Sequence, residues 1–194
     1  MAERLFFNIR AMSAAAILSC LCILISHTIS YAADGAIFDE LRFGATTSIA
    51  SDSNGEDGVF PTFAAYFDPF SSDSATGFGE KFLRPRLHIG TEIGTAGSPN
   101  TIYGGVNWTI DLTPKAFVDL GFGGLWHDGD LRDDGTDGAK LGCRALFREY
   151  AALGYRLDQH WSLMAQISHA SHADLCDGPN DGLTRAGLMV GYKF

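Results

Sequence analysis

Apolar and polar residues alternate along most of this chain, the period-two pattern of strands that present one face to an apolar phase. Between positions 106 and 112 the apolar set is Val106, Trp108, Ile110 and Leu112, interleaved with Asn107, Thr109 and Asp111. After the turn Thr113, Pro114, Lys115, the residues Ala116, Val118, Leu120, Phe122 and Trp126 repeat it. From Cys143 one face carries Ala145, Phe147, Ala151, Leu153, Tyr155 and Leu157, and the other Arg144, Arg148, Tyr150 and Arg156. The next strand sets Trp161, Leu163, Ala165 and Ile167 against Ser162, Met164, Gln166 and Ser168. The last sets Ala186, Leu188, Val190, Tyr192 and Phe194 against Arg185, Gly187, Met189, Gly191 and Lys193. Stretches 41–50, 59–67 and 83–95 bring the total to eight, an even number suited to an antiparallel barrel, and no amphipathic helix of convincing length competes.

The first residues are of another kind. Arg4 and Arg10 precede an apolar run from Ala11 to Ile25, followed by the small residues Ser30, Ala32 and Ala33. That order predicts a secretory signal peptide over 1–33, cleaved after Ala32 or Ala33. Its apolar core is shorter than the roughly 20 residues of a spanning helix. A lipoprotein reading through Cys20 is disfavoured because the chain stays apolar beyond it. The mature part, 34–194, is then one domain with 12 basic and 22 acidic residues, a net charge of −10. So acidic a chain argues against a nucleic-acid partner. Cys143 and Cys176 are the two mature cysteines, an even number in an oxidising compartment.

Alternation alone does not separate a barrel from a soluble sandwich. Abundant glycines and aromatics, arginines recurring on one face, and a final strand ending Tyr192, Lys193, Phe194 favour an eight-stranded antiparallel transmembrane β-barrel of the outer-membrane type. The short turns 113–115 and 158–160 then fall on the periplasmic side, and the Asp- and Gly-rich stretches 51–58, 127–140 and 172–182 outside. Stretch 68–81 is long for a periplasmic turn.

Candidate chemistry lies at the outer end of the seventh strand. His169 and Ser171 continue the parity of Leu163, Ala165 and Ile167, so both face lipid at the rim, where apolar groups are the rule. A bare His-x-Ser has little specificity. Polar groups in that place serve either as interfacial anchors or in a hydrolase whose substrate is a membrane lipid.

Residues 144–149 (Arg-Ala-Leu-Phe-Arg-Glu), 153–156 (Leu-Gly-Tyr-Arg), His169-Ala170-Ser171, Asn180-Asp181-Gly182 and the terminal Gly191-Tyr192-Lys193-Phe194 resemble the C-terminal half of the PagL-type lipid A 3-O-deacylase (acyloxyacyl hydrolase) family. The resemblance implies an outer-membrane esterase that removes an ester-linked acyl chain from lipid A, with Ser171 as nucleophile and His169 as general base. It implies lipopolysaccharide and outer-membrane lipids as partners, leaves a homodimer open, and requires no cofactor. Two positions depart from the family. His172 stands where an asparagine usually helps hold the oxyanion, and an imidazole could donate there instead. Thr184 stands where the family has its acid.

A substitute acid is legible in the register. If Leu157 faces Trp161 across the short turn, paired numbers sum to 318 and Glu149 faces His169. The alternative is a one-residue slip that turns Glu149 into the lumen beside Arg148. The same sum places Cys143 opposite position 175, so a Cys143–Cys176 disulfide is expected. Asp174, Asp177 and Asp181 are further acid candidates, although loop aspartates more often form turns. The Asp-rich stretch 128–135 lacks the closing glutamate of an EF-hand, and no metal is assigned. The competing functional reading is a barrel of the same fold whose catalysis has decayed, with a structural or lipid-binding role. A small channel is disfavoured, because side chains fill an eight-stranded interior.

Overall fold

The computed structural model describes residues 37–50, 55–135 and 137–194; the expected signal peptide lies outside them. Eight antiparallel strands, β1 (Phe38–Ser48), β2 (Val59–Phe67), β3 (Arg86–Glu92), β4 (Thr101–Asp111), β5 (Ala116–His127), β6 (Ala145–Arg156), β7 (Trp161–Ser171) and β8 (Leu183–Lys193), pair in chain order. β1 closes on β8, with Phe43 opposite Val190. Closure leaves no unpaired strand edge, the condition for backbone to lie in a hydrocarbon phase.

Each strand divides its side chains as the alternation requires. On β6 and β7 the outward positions Phe147, Leu153, Leu163 and Ile167 are exposed, and Tyr150, Ala152, Met164 and Gln166 are buried. The outer wall is therefore apolar and the lumen polar, the inverse of a soluble protein.

The lumen is packed with side chains. In its lower half Arg42 pairs with Glu40 and Asp119, and Arg86 with Glu40 and Asp39 (both 2.6 Å). Asp119 also accepts from Asn107 (2.9 Å), Thr109 (3.0 Å) and Tyr150 (3.0 Å). Nearer the outer end Arg185 pairs with Glu56 and Glu92, and Arg148 lies 3.9 Å over the Tyr103 ring. Charges out of water persist only when paired in this way.

Several strand boundaries differ from those expected: β1 runs Phe38–Ser48 rather than 41–50, and three others are instructive. β3 begins at Arg86, and the preceding residues form a six-residue helix, α1 (Phe78–Leu83), which takes Leu83 out of the strand. A 3-10 turn, Ser72–Ser74, precedes it. The long β2–β3 connection thus carries structure of its own. β4 starts at Thr101, five positions before Val106, because Gly104 and Gly105 interrupt the visible alternation without interrupting the ladder to β5. β6 starts at Ala145, leaving Cys143 and Arg144 in the preceding loop.

The end of the barrel that holds the short turns carries an aromatic cluster. Phe194 packs on Phe38 (5.0 Å between centroids) and Tyr192 (5.1 Å), and its N–H donates to the Asp39 carbonyl (3.0 Å).

Candidate active site on the outer wall

β7 delivers His169 and Ser171 to the lipid-facing side near the outer end of the barrel, both half-buried. The register along β6–β7 pairs Glu149 with His169 and Phe147 with Ser171. Glu149 alternates with buried Arg148 and Tyr150, so it points outward. On the other side β8 pairs Thr184 with His169. The imidazole therefore has a carboxylate-bearing residue across one strand and a hydroxyl across the other. The hydrogen bond it makes is to the hydroxyl: His169 Nδ1 and Thr184 Oγ1 are 2.8 Å apart. The Glu149 carboxylate forms no hydrogen bond or ion pair with any described residue.

Directly opposed residues in antiparallel strands have Cβ atoms roughly 4.5–5.5 Å apart, so a rotamer change could bring the Glu149 carboxylate to the ring. Residues two apart on a strand are roughly 6.5–7 Å apart along it. The His169 ring and the Ser171 hydroxyl share one face at that spacing without a hydrogen bond between them, and Nε2 is the nitrogen left free by the Thr184 contact to turn toward the hydroxyl.

The loops above hold this arrangement. Gly182, at φ +71°, lies against His169; a Cβ there would come within 2.9 Å of its Cε1. Asp181 clips the loop to the neighbouring one, accepting from the Lys140 N–H (2.8 Å) and donating its own N–H to the Lys140 carbonyl (3.2 Å). Cys143 and Cys176 are joined across the same two loops, with Cα atoms 6.1 Å apart.

His172 has the opposite parity to Ser171 and is buried. Its Nε2 lies 3.1 Å from the Pro179 carbonyl, and its N–H donates to Asn180 Oδ1 (3.2 Å). Its Nδ1 is buried without a hydrogen-bond partner. In this arrangement the ring buttresses loop 172–182 from inside rather than facing the Ser171 hydroxyl. His172 also lies beside Cys143 and Cys176, the three potential ligand atoms falling within 4.8 Å of one another. With the sulfurs bonded to each other the cluster offers no thiolate to a metal. Asp174 takes a hydrogen bond from Asn180 Nδ2 (3.4 Å), a role within the loop.

Outward neighbours of the pair are apolar. Phe122 faces Glu149 across β5–β6 and stacks on Phe147 (6.2 Å), and Ile167 lies two positions below His169. A hydroxyl, an imidazole and a carboxylate thus sit in a greasy surround open to acyl chains.

The family model for lipid A 3-O-deacylase (PagL) matches residues 95–193, just over half of the chain. That interval contains β4 to β8 and every candidate residue named above. Among solved structures, the crystal structure of the outer membrane enzyme PagL superposes with a TM-score of 0.59 at 16% identity, covering 81% of this chain and 99% of that one. A de novo designed transmembrane β-barrel (TM-score 0.49, 12% identity, 82% and 97% covered) and the outer membrane protein Ail of Yersinia pestis (0.48, 9%, 81% and 99%) are more distant. No curated protein matches the chain.

Proposed function

Because the chain belongs to the lipid A 3-O-deacylase family, we propose that it is an outer-membrane esterase that removes the 3-O-linked acyl chain of lipid A by a serine mechanism. What supports this reading is the pair His169 and Ser171 on the outward face of β7, at the end of the barrel opposite the short turns 113–115 and 158–160. A water-soluble substrate would not need a hydroxyl and a base on that wall.

In the proposed reaction His169 Nε2 takes the Ser171 proton as the hydroxyl oxygen attacks the ester carbonyl. The tetrahedral intermediate collapses by breaking the bond to the sugar oxygen, which His169 reprotonates. Water, deprotonated in turn by His169, then hydrolyses the acyl-serine and releases a free fatty acid. For Nε2 to act as base the proton must sit on Nδ1, and Nδ1–H then donates to Thr184 Oγ1. Threonine fixes ring and tautomer but brings no charge to the imidazolium. Glu149, one residue across β6, is the carboxylate we assign to that task. The second reading, a barrel with decayed catalysis, is favoured by the same Thr184 contact, since a hydroxyl stands where the family has its acid.

The experiment is hydrolysis of purified lipopolysaccharide by refolded protein. Ser171→Ala and His169→Ala should each abolish release of the hydroxy fatty acid with the barrel intact. Unchanged release by either variant would contradict the mechanism.

A further inference from the structure

At the other end of the barrel, a groove of about 610 Å³ lies between α1 and the outer wall of β4 and β5. Phe78 and Phe82 of the helix form one side; Trp108, Ile110, Leu120 and Phe122 of the strands form the other. α1 is held against that wall by its last turn. The Phe82 ring stacks on Trp108 (5.5 Å, 7° between planes), and Trp108 Nε1 donates to the Phe82 carbonyl (3.0 Å). The helix is otherwise turned outward: Phe78 and Leu83 are 76% and 78% exposed, an arrangement unfavourable in water and natural beside lipid. Segment 68–85 precedes the family match, so nothing in the matched interval accounts for it.

The mouth of the groove is charged. Lys81 (3.2 Å) and Arg156 (2.7 Å) both bind the single carboxylate of Asp111, which leaves one positive charge in excess. Of the charges nearby, Arg84 pairs with Glu80 (2.8 Å), and Lys193 pairs with Asp73 and, at 3.5 Å, with Asp39. Lys81, Arg156 and Asp111 all keep part of their side chains open to the surroundings.

We propose that this groove is a binding site for one glycerophospholipid of the periplasmic leaflet, an acyl chain between α1 and the Trp108–Phe122 wall and the phosphate at Lys81 and Arg156. The apolar walls continue the lipid-facing surface of β4 and β5, so the occupant has to be a lipid. The excess cation matches the single negative charge of a phosphodiester. The volume falls within the roughly 300–1,000 Å³ typical of small-ligand sites. The charged mouth at Lys81, Asp111 and Arg156 adjoins the 112–115 turn, while the apolar wall reaches up to Phe122, the cross-strand neighbour of Glu149; with that turn on the periplasmic side, the phospholipid leaflet supplies the headgroup. The site requires the membrane placement of the barrel but not deacylation.

The test is native mass spectrometry of the detergent-purified full chain titrated with phosphatidylglycerol. One lipid should be retained above the non-specific background, equally in Ser171→Ala. Retention should fall at least about tenfold in Lys81→Gln/Arg156→Gln, a loss of about 1.4 kcal/mol. It should also fall in Phe78→Glu, whose exposed position lets the barrel fold. No retained lipid in the wild type, unchanged retention in both variants, or preferential retention of lipid A over phosphatidylglycerol at this site would overturn the proposal.

Discussion

His169 lies between Thr184 on β8, whose hydroxyl it contacts, and Glu149 on β6, whose carboxylate it does not contact, and which of the two acts on the ring decides how the site works. The Thr184 hydroxyl is the partner in the structure, 2.8 Å from Nδ1, and Glu149 is the nearest charged residue across β6. If the hydroxyl sets the tautomer, Thr184→Val should lower kcat by about 100-fold, as for a misplaced catalytic group, with KM little changed. If Glu149 supplies the counter-charge, Glu149→Gln should cost as much or more, and Thr184→Glu should recover most of that loss. Steady-state kinetics on folded variants reads both, and full activity in Glu149→Gln would remove it as the acid. Much of this constellation is legible in the sequence. Parity alone turns His169 and Ser171 to lipid, and the three-residue turn 158–160 brings Glu149 across from His169. The Thr184 hydrogen bond is not legible, because the β7–β8 register passes through the long loop 172–182, whose length fixes no pairing. His172 is a different case: its even-numbered position already places it on the lumen side of β7.

Among the elements, the two outer loops that cover the site act as one unit through the Cys143–Cys176 link and the Asp181–Lys140 clip. Alkylation of unreduced protein should label neither cysteine, and two labelled thiols would contradict the bond. Cutting it with Cys143→Ser/Cys176→Ser should leave the barrel folded while letting Gly182 drift from the imidazole. The activity should then fall, by up to about 100-fold if the displacement reaches about 1 Å. Strands were the readable elements because their outward residues must be apolar at every second position. Where glycine takes an outward position, at Gly104, and another follows it on the lumen side, at Gly105, the strand continues unseen. α1 is unreadable for another reason: six residues span too little of a helical period, and Leu83 passes for the start of a strand.

At the scale of the molecule, an apolar wall surrounds a lumen of paired charges, and the pairing holds the barrel from inside. Asp119, fully buried, collects Arg42, Asn107, Thr109 and Tyr150. Asp119→Ala strands the Arg42 charge with only Glu40 beside it and should destabilise the barrel by about 3 kcal/mol, the low end for breaking a buried pair. Urea unfolding of refolded protein measures it, and a change under about 1 kcal/mol would mean that water or Glu40 takes over. The sequence signals the barrel and its arginine-lined interior, whereas the partners of each arginine depend on strand stagger and emerge only in three dimensions. The central claim, that this wall carries a lipid A deacylase, is tested most directly by mass spectra of lipid A from cells expressing the wild type or Ser171→Ala. Lipid A from cells with the wild type should lack one 3-O-linked hydroxyacyl chain and lipid A from cells with Ser171→Ala should be intact; identical spectra from both, with the barrel folded in the outer membrane, would contradict the assignment.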